Sequence, residues 1–275
     1  RRVLFRSANE VLQQIFQATG GPGRTALSFV PTYSMYPLIA QGTGTEWIAV
    51  PREEDFELST QLVTEAIKAR KPDLVLICSP NNPTGTPVDL SVIEAAYSAI
   101  EANGNGVLIV DEAYAEFAHS LGASALDLLE GRPKLMISRT MSKAFAFAGA
   151  RLGYLAADSA VVDALRLVRL PYHLSALTQA AAEGALAHST EMLATVADIK
   201  YQRDRILDGL KELGLKVYRS DANFVLFGGL ENPDLVWQKL LDEGILIRNV
   251  GLPGTLRVTA GTEAETTAFL AALER

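Results

Sequence analysis

The chain has 275 residues, of which 48% are hydrophobic and 21% charged, enough apolar material for a sizeable core and too little charge for a disordered chain. Lys plus Arg total 25 against 32 Asp plus Glu, a net charge of -7, so nothing suggests a nucleic-acid partner, although a few local cations can still hold a small anion. One cysteine (Cys78) excludes an internal disulfide, His119, His173 and His188 lack any HExxH spacing, so no metal site is expected, and no apolar stretch reaches the roughly 20 residues of a membrane span.

In chain order, Ser7-Ala8-Asn9-Glu10 has the S-x-x-E form of a capping box, so a first helix is expected over 8–19. Strands are expected at 26–30, 47–50, 73–78, 106–111, 134–138 and 152–156, with helices at 59–69, 90–102 and 159–170 between them. Several strands are continuous apolar runs (LVLIC, VLIV), the pattern of parallel strands buried on both faces. Alternating strands and helices give an α/β fold, a mostly parallel doubly wound sheet. Cys78 lies in such a run and is expected to be an inert buried thiol.

The character changes after Leu170. Residues 176–213 are helical almost throughout, with a long helix near 190–213. Strands at 216–218, 223–227, 245–248 and 256–259, a helix at 233–243 and a closing helix at 263–273 form a smaller α+β unit. Residues 1–189 are therefore expected to form a large domain and 190–275 a small one. No long apolar region follows the opening arginines, so no secretion signal is expected, and a soluble cytoplasmic α/β protein is the expectation.

Ligands in an open α/β sheet bind beyond the carboxyl ends of the strands. After 26–30 stands Tyr33; after 73–78 stands the NNPTG turn with Asn82; at the end of 106–111 stand Asp111 and Tyr114; after 134–138 come Thr140, Ser142 and Lys143, and then Arg151. Each has a duller alternative. Asp111 alone reads as a helix cap, Lys143 as a solvated lysine, the tyrosines as boundary aromatics, NNPTG as a turn, and Arg151 as a partner for any nearby carboxylate. Their joint occurrence on consecutive strand ends outweighs those single readings.

One cofactor uses the whole set. Pyridoxal 5'-phosphate needs a lysine to bind covalently and a carboxylate beside its ring nitrogen, which makes the ring an electron sink. A phenol and an amide can bond its ring oxygen, an aromatic can cover its face, and its phosphate suits a helix N-terminus plus arginine. The helix opening at Ser7 offers those amides. A nucleotide-binding module is the non-enzymatic alternative, but no GxGxxG or P-loop follows any strand.

SPNNPTG, VDEAYAEF, RTMSKAFAFAGARLGY, VRLPYHLS and NVGLPGTLRVTAG together resemble the fold-type I pyridoxal-phosphate aminotransferases, and within them the histidinol-phosphate aminotransferases. The resemblance runs from about Ala8 to the C-terminus. It implies Lys143 as the Schiff-base lysine and proton shuttle, Asp111 at the ring nitrogen, and Tyr114 and Asn82 at the ring oxygen. It implies Tyr33 against the ring face, and the Ala8 and Asn9 amides with Thr140, Ser142 and Arg151 around the cofactor phosphate. Arg257 and Arg248 match the family's positions for an anionic substrate group. The resemblance implies transamination of L-histidinol phosphate with 2-oxoglutarate, and a homodimer.

Two features depart from the family. Residues that family members carry before the equivalent of Ala8 are absent, and RRVLFRS does not match the glycine-containing loop expected there. RRVLFRS looks like a translated adaptor remnant, so the chain is expected to be a fragment of a longer enzyme. An aromatic or phenylalanine aminotransferase would use the same chemical groups, and a decarboxylase of a phosphorylated amino acid is a further alternative.

Overall fold

The computed structural model describes residues 2–119 and 124–275. The chain opens with β1 (Arg2–Phe5) and α1 (Ala8–Thr19), then alternates β2 (Thr25–Val30), α2 (Met35–Thr43), β3 (Glu46–Pro51), α3 (Thr60–Arg70), β4 (Leu74–Cys78), α4 (Leu90–Asn103) and β5 (Val107–Asp111). β6 (Leu135–Thr140) and β7 (Gly153–Ala157) follow, then three helices, α5 (Ser159–Val168), α6 (Ala176–Ala187) and α7 (Ser189–Glu212). The last stretch holds β8 (Lys216–Val217), β9 (Phe224–Gly228), α8 (Pro233–Asp242), β10 (Leu256–Thr259) and α9 (Glu263–Leu273).

The large sheet has the order β1-β7-β6-β5-β4-β2-β3. β2 to β6 run parallel, while β7 and β1 pair antiparallel at one edge. Its apolar strands are buried on both faces because alternate residues serve different layers. Val75, Ile77, Leu108 and Val110 pack under α3 and α4. Leu74, Leu76, Cys78 and Ile109 face the other way, against α1, α2 and α5. Each fully buried Leu or Ile in these layers contributes about 1.5–3 kcal/mol. A second sheet, β10-β9-β8, shares an apolar cluster with Ile206 and Leu210 of α7, Leu240 of α8 and Phe269 of α9.

Four local features differ from the sequence expectations. α2 was not expected: MYPLIAQGT is short, carries a proline and exposes Leu38, although Tyr36, Ile39 and Ala40 form a buried stripe and the proline sits in the first turn, where no intrahelical N–H bond is lost. β1 was likewise not expected, and pairs with β7 at the sheet edge. Residues 245–248 do not form a strand. The Ile245 N–H donates to the Leu240 carbonyl (2.8 Å) and the Ile247 carbonyl accepts from Trp237 (3.0 Å), so α8 takes the groups a ladder would use. At α1 the Ser7 hydroxyl accepts from the Glu10 N–H at 3.4 Å, but the Glu10 carboxylate reaches the Arg6 N–H (2.6 Å), so only half the expected box closes. A complete box stands instead at Thr262 and Glu265, opening α9.

Candidate active site

β3 forms the sheet edge and β4 returns on the far side of β2, so the strand order reverses between β2 and β4. Loops leaving such a reversal diverge and open a crevice at the carboxyl ends. A cavity of about 290 Å³ lies there, and every residue singled out from the sequence lines it: Ala8, Asn9, Tyr33, Asn82, Asp111, Tyr114, Thr140, Ser142, Lys143, Arg151, Arg248 and Arg257. Ser7, Cys78 and Ala113 complete the wall.

Strand parity aims the carboxylate. Asp111 follows Ile109 on the α1–α2 side of β5 and lies in register with Cys78 of β4. Its Oδ2 accepts from the Tyr36 hydroxyl at 2.9 Å, while Oδ1 is buried without a partner. Burial pushes the carboxyl up to about 6, against the lowering effect of the Tyr36 and Ala113 donors. Glu112, the next residue, is structural: it binds Arg139 (2.7 Å), Ser124 and the Ala125 N–H. Cys78 is buried and its thiol is pushed up to about 12, which makes it inert as expected.

Opposite the carboxylate, the Lys143 Nζ stands 5.5 Å from the centre of the Tyr114 ring. Burial lowers the pKa of this ammonium, and the charges of Arg257, Arg151 and Arg248 lower it further. Tyr114 accepts a hydrogen bond from Asn82 Nδ2 (3.4 Å), and Arg257 Nη1 donates to Asn82 Oδ1 (2.7 Å), so these three form one chain across the cavity. Burial raises the Tyr114 phenol well above its ordinary value and keeps it protonated. NNPTG is also a turn, as its composition suggests: the fully buried Asn81 holds Pro31 O (3.0 Å) and Thr84 Oγ1 (2.8 Å), leaving Asn82 to face the cavity. Gly85 in that turn has φ +82° and lies so close to Ser220 that a Cβ would meet its Oγ at 2.3 Å. The Asp221 N–H donates to the Gly85 carbonyl (2.9 Å), which ties the turn to the segment leading into β9.

An anion cradle occupies the other end. The free first-turn amides of α1, including Ala8 and Asn9, meet Thr140, Ser142 and Arg151 there. Gly153 allows this approach, since a Cβ on it would fall 2.6 Å from the Ala8 nitrogen. The Thr140 hydroxyl donates to Ser142 Oγ (3.0 Å), and Tyr33 donates to Asn9 Oδ1 (3.1 Å). Arg151 has a left-handed backbone (φ +58°) and donates to the Ala148 carbonyl (2.9 Å).

The two later arginines share one face. Arg248 and Arg257 exchange both backbone hydrogen bonds (2.9 and 2.8 Å), and residues so paired across an antiparallel bridge project to the same side. Among the described residues neither arginine forms an ion pair, and the nearby acid Glu243 binds Arg275. Arg257 packs its guanidinium 4.5 Å from the Phe224 ring centre and leaves a buried Nε without a partner.

Sequence reasoning missed Tyr36. The available signal was its position three residues after Tyr33, which becomes meaningful only when residues 35–43 are helical.

Residues 2–273 match the family described as aminotransferase class I and II. A histidinol-phosphate aminotransferase of Paenarthrobacter aurescens (strain TC1) is 61% identical over 267 residues, covering 97% of this chain and 72% of that protein. One from Frankia casuarinae is 59% identical over 268 residues, covering 98% of this chain and 68% of that protein. Among solved structures, the histidinol-phosphate aminotransferase of Sinorhizobium meliloti in complex with pyridoxal-5'-phosphate superposes with a TM-score of 0.90 at 25% identity, covering 99% of this chain and 76% of that one. No helix among the described residues is long and apolar enough to cross a membrane.

Proposed function

The chain belongs to the class I and II aminotransferases, and within them we propose that it catalyses the pyridoxal-phosphate-dependent transamination of L-histidinol phosphate with 2-oxoglutarate, giving imidazole-acetol phosphate and glutamate. The observation that carries this reading is Asp111 Oδ1, a buried oxygen with no partner, in a cavity that also holds a lysine of lowered pKa and a helix N-terminus. A buried acceptor left unmatched is costly unless a ligand supplies the donor. The protonated ring nitrogen of pyridoxal phosphate is such a donor, so the residues fit the cofactor.

When bound, the cofactor supplies a ring that withdraws electrons and makes the Cα hydrogen of the attached substrate acidic. Asp111 holds negative charge at the ring nitrogen, with the Tyr36 hydroxyl satisfying its other oxygen. Asn82 and the protonated Tyr114 offer donors to the ring oxygen, and Tyr33 covers one face. The Ala8 and Asn9 amides, Thr140, Ser142 and Arg151 hold the phosphate at the positive end of α1. Lys143 tethers the cofactor and carries the proton. Its lowered pKa supports this role, because a lysine must be deprotonated to act as a base.

Arg257 and Arg248 bind the anionic end of the substrate: the phosphate of histidinol phosphate in one half-reaction and a carboxylate of glutamate in the other. Two arginines on one wall that form no ion pair among the described residues support this, since guanidinium forks suit phosphate and carboxylate oxygens. The division into a cofactor-bearing unit over 1–189 and a smaller one over 190–275 belongs to the same proposal, supported by the separate apolar cluster around β9 and β10. So do a cytoplasmic location and a homodimer, the latter supported by the exposed Leu167, Leu170, Tyr172 and Leu177 on neighbouring segments.

Half-reaction kinetics with histidinol phosphate, phenylalanine and glutamate test the assignment. A kcat/KM for histidinol phosphate at least tenfold above that for phenylalanine is expected, a difference of about 1.4 kcal/mol. The reverse order would make the protein an aromatic aminotransferase.

A further inference from the structure

Tyr36 is fully buried in the first turn of α2, with its ring edge-on to Tyr33 (centres 5.5 Å apart) and tilted against Trp47 (6.5 Å). A phenylalanine would fill the same apolar space. The hydroxyl is the difference, and it donates to Asp111 Oδ2 at 2.9 Å. A carboxylate can rotate about its last bond. With Oδ2 held by a rigid buried phenol, Oδ1 is left buried and unpartnered on a residue that lines the cavity.

We propose that Tyr36 is a positioning residue for the cofactor: its hydroxyl keeps Asp111 ionised and turned so that Oδ1 can receive the cofactor's ring nitrogen. This rests on the reading of Asp111 given above.

The surrounding charges leave Asp111 as the group that titrates near neutrality in this corner. On β4, Cys78 stays a neutral thiol, and Tyr33, after β2, stays a neutral phenol because burial raises both. Arg52, beyond β3, remains a cation, its pKa lowered by burial only to about 10. Glu112, next to Asp111, is held by Arg139. Tyr36 and Tyr114 are themselves raised by burial. Lys143 faces the cavity from beyond β6 with a lowered pKa, so its own titration must be removed before Asp111 can be followed. Asp111 is already pushed up to about 6 by burial, and the Tyr36 donor is the largest effect opposing that rise. Losing this donor should therefore leave Asp111 protonated over part of the neutral range.

The test measures equilibrium binding of pyridoxal phosphate from pH 5 to 9 in a Lys143→Ala background, which removes both the covalent link and the lysine's titration. The cofactor's own titrations are common to all variants and cancel when affinities are compared as ratios. For a one-unit rise in the Asp111 pKa, Tyr36→Phe should bind almost as tightly as its parent near pH 9. The ratio of dissociation constants should climb to about tenfold towards pH 5. In an Asp111→Asn background Tyr36→Phe should have no further effect at any pH. A ratio that does not vary with pH, or the same loss with and without the Asp111 carboxylate, would reduce Tyr36 to core packing and overturn the proposal.

Should Tyr36→Phe fail to fold by circular dichroism, 3-fluorotyrosine introduced at position 36 keeps the shape and strengthens the donor. It should move the acid-side loss of affinity to lower pH; no movement, or movement to higher pH, overturns the proposal. If Asp111→Asn alone leaves affinity and pH profile untouched, the reading of Asp111 fails first, a result distinct from the failure of Tyr36.

Discussion

Replacing Gly153 with alanine puts a methyl carbon 2.6 Å from the Ala8 nitrogen, 2.6 Å from the Ser7 carbonyl carbon and 3.0 Å from the Arg139 carbonyl oxygen. All three are backbone atoms, so no side chain can swing aside, and either β7 or the start of α1 must move. Overpacking of this kind costs about 1–3 kcal/mol. Unfolding entropy near 2.1 cal/mol/K per residue makes about 2 kcal/mol equivalent to a fall of roughly 3–4 °C in the unfolding midpoint of a chain this long. The effect on binding should be larger, because the displaced amides of Ala8 and Asn9 lie at the proposed phosphate end of the cavity. Loss of one charge-assisted hydrogen bond costs about 1.5–3 kcal/mol, or tenfold and more in cofactor affinity. Thermal unfolding of the cofactor-free protein by circular dichroism and fluorescence titration with pyridoxal phosphate measure the two effects separately. Gly184→Ala is the control: nothing lies within 4 Å of its new methyl, it sits inside α6, and it should stabilise by about 0.5–1 kcal/mol with affinity unchanged. A Gly153→Ala protein that unfolds at the parent's temperature and binds the cofactor equally well would refute the role given to this contact.

Lys143→Ala should lower turnover by several orders of magnitude while still binding the cofactor through its phosphate; borohydride reduction and mass spectrometry of the parent should find the cofactor on Lys143, and near-normal activity in the variant would assign another lysine. Arg257→Gln should weaken both histidinol phosphate and glutamate by about 1.5–3 kcal/mol, whereas Arg248→Gln should weaken the phosphorylated substrate more; equal small effects of Arg248→Gln on histidinol phosphate and phenylalanine would remove the phosphate assignment. Asp111 has a folded-state carboxyl near 6 against about 3.9 unfolded, so the stability it contributes to the cofactor-free protein is fully present below about pH 4 and lost as pH rises through 6, an effect of about 3 kcal/mol. Asp111→Asn should remove this step from the denaturation profile, and identical slopes between pH 4 and 6 in the two proteins would show that Asp111 is not the buried acid described.

The expectations that came from the sequence alone and match the structure rest on local patterns. The apolar runs of β4 and β5, the limits of α1, β10 and α9, and the polar residues after successive strands follow from side-chain periodicity and turn chemistry within a few residues. Parallel strands then bring their carboxyl ends to one edge, so Tyr33, Asn82, Asp111 and Lys143 could be grouped before any contact was known. What the tertiary structure decided are choices between partners far apart in the chain. Residues 245–248 read as a short apolar strand, but the Ile245 N–H and the Ile247 carbonyl bond to α8 and only Arg248 bridges to β10, a competition that the apolar run does not encode. Gly153 looks like any glycine until α1 is packed against it across more than a hundred residues. Arg248 and Arg257 become one cationic wall only through their mutual backbone bridge. Tyr36 lies 75 residues from Asp111, on a short helix that carries a proline. Which carboxylate oxygen it holds, and which it leaves to a ligand, is settled by packing, because a hydrogen bond needs both atoms in place and a sequence pattern specifies only that each is present.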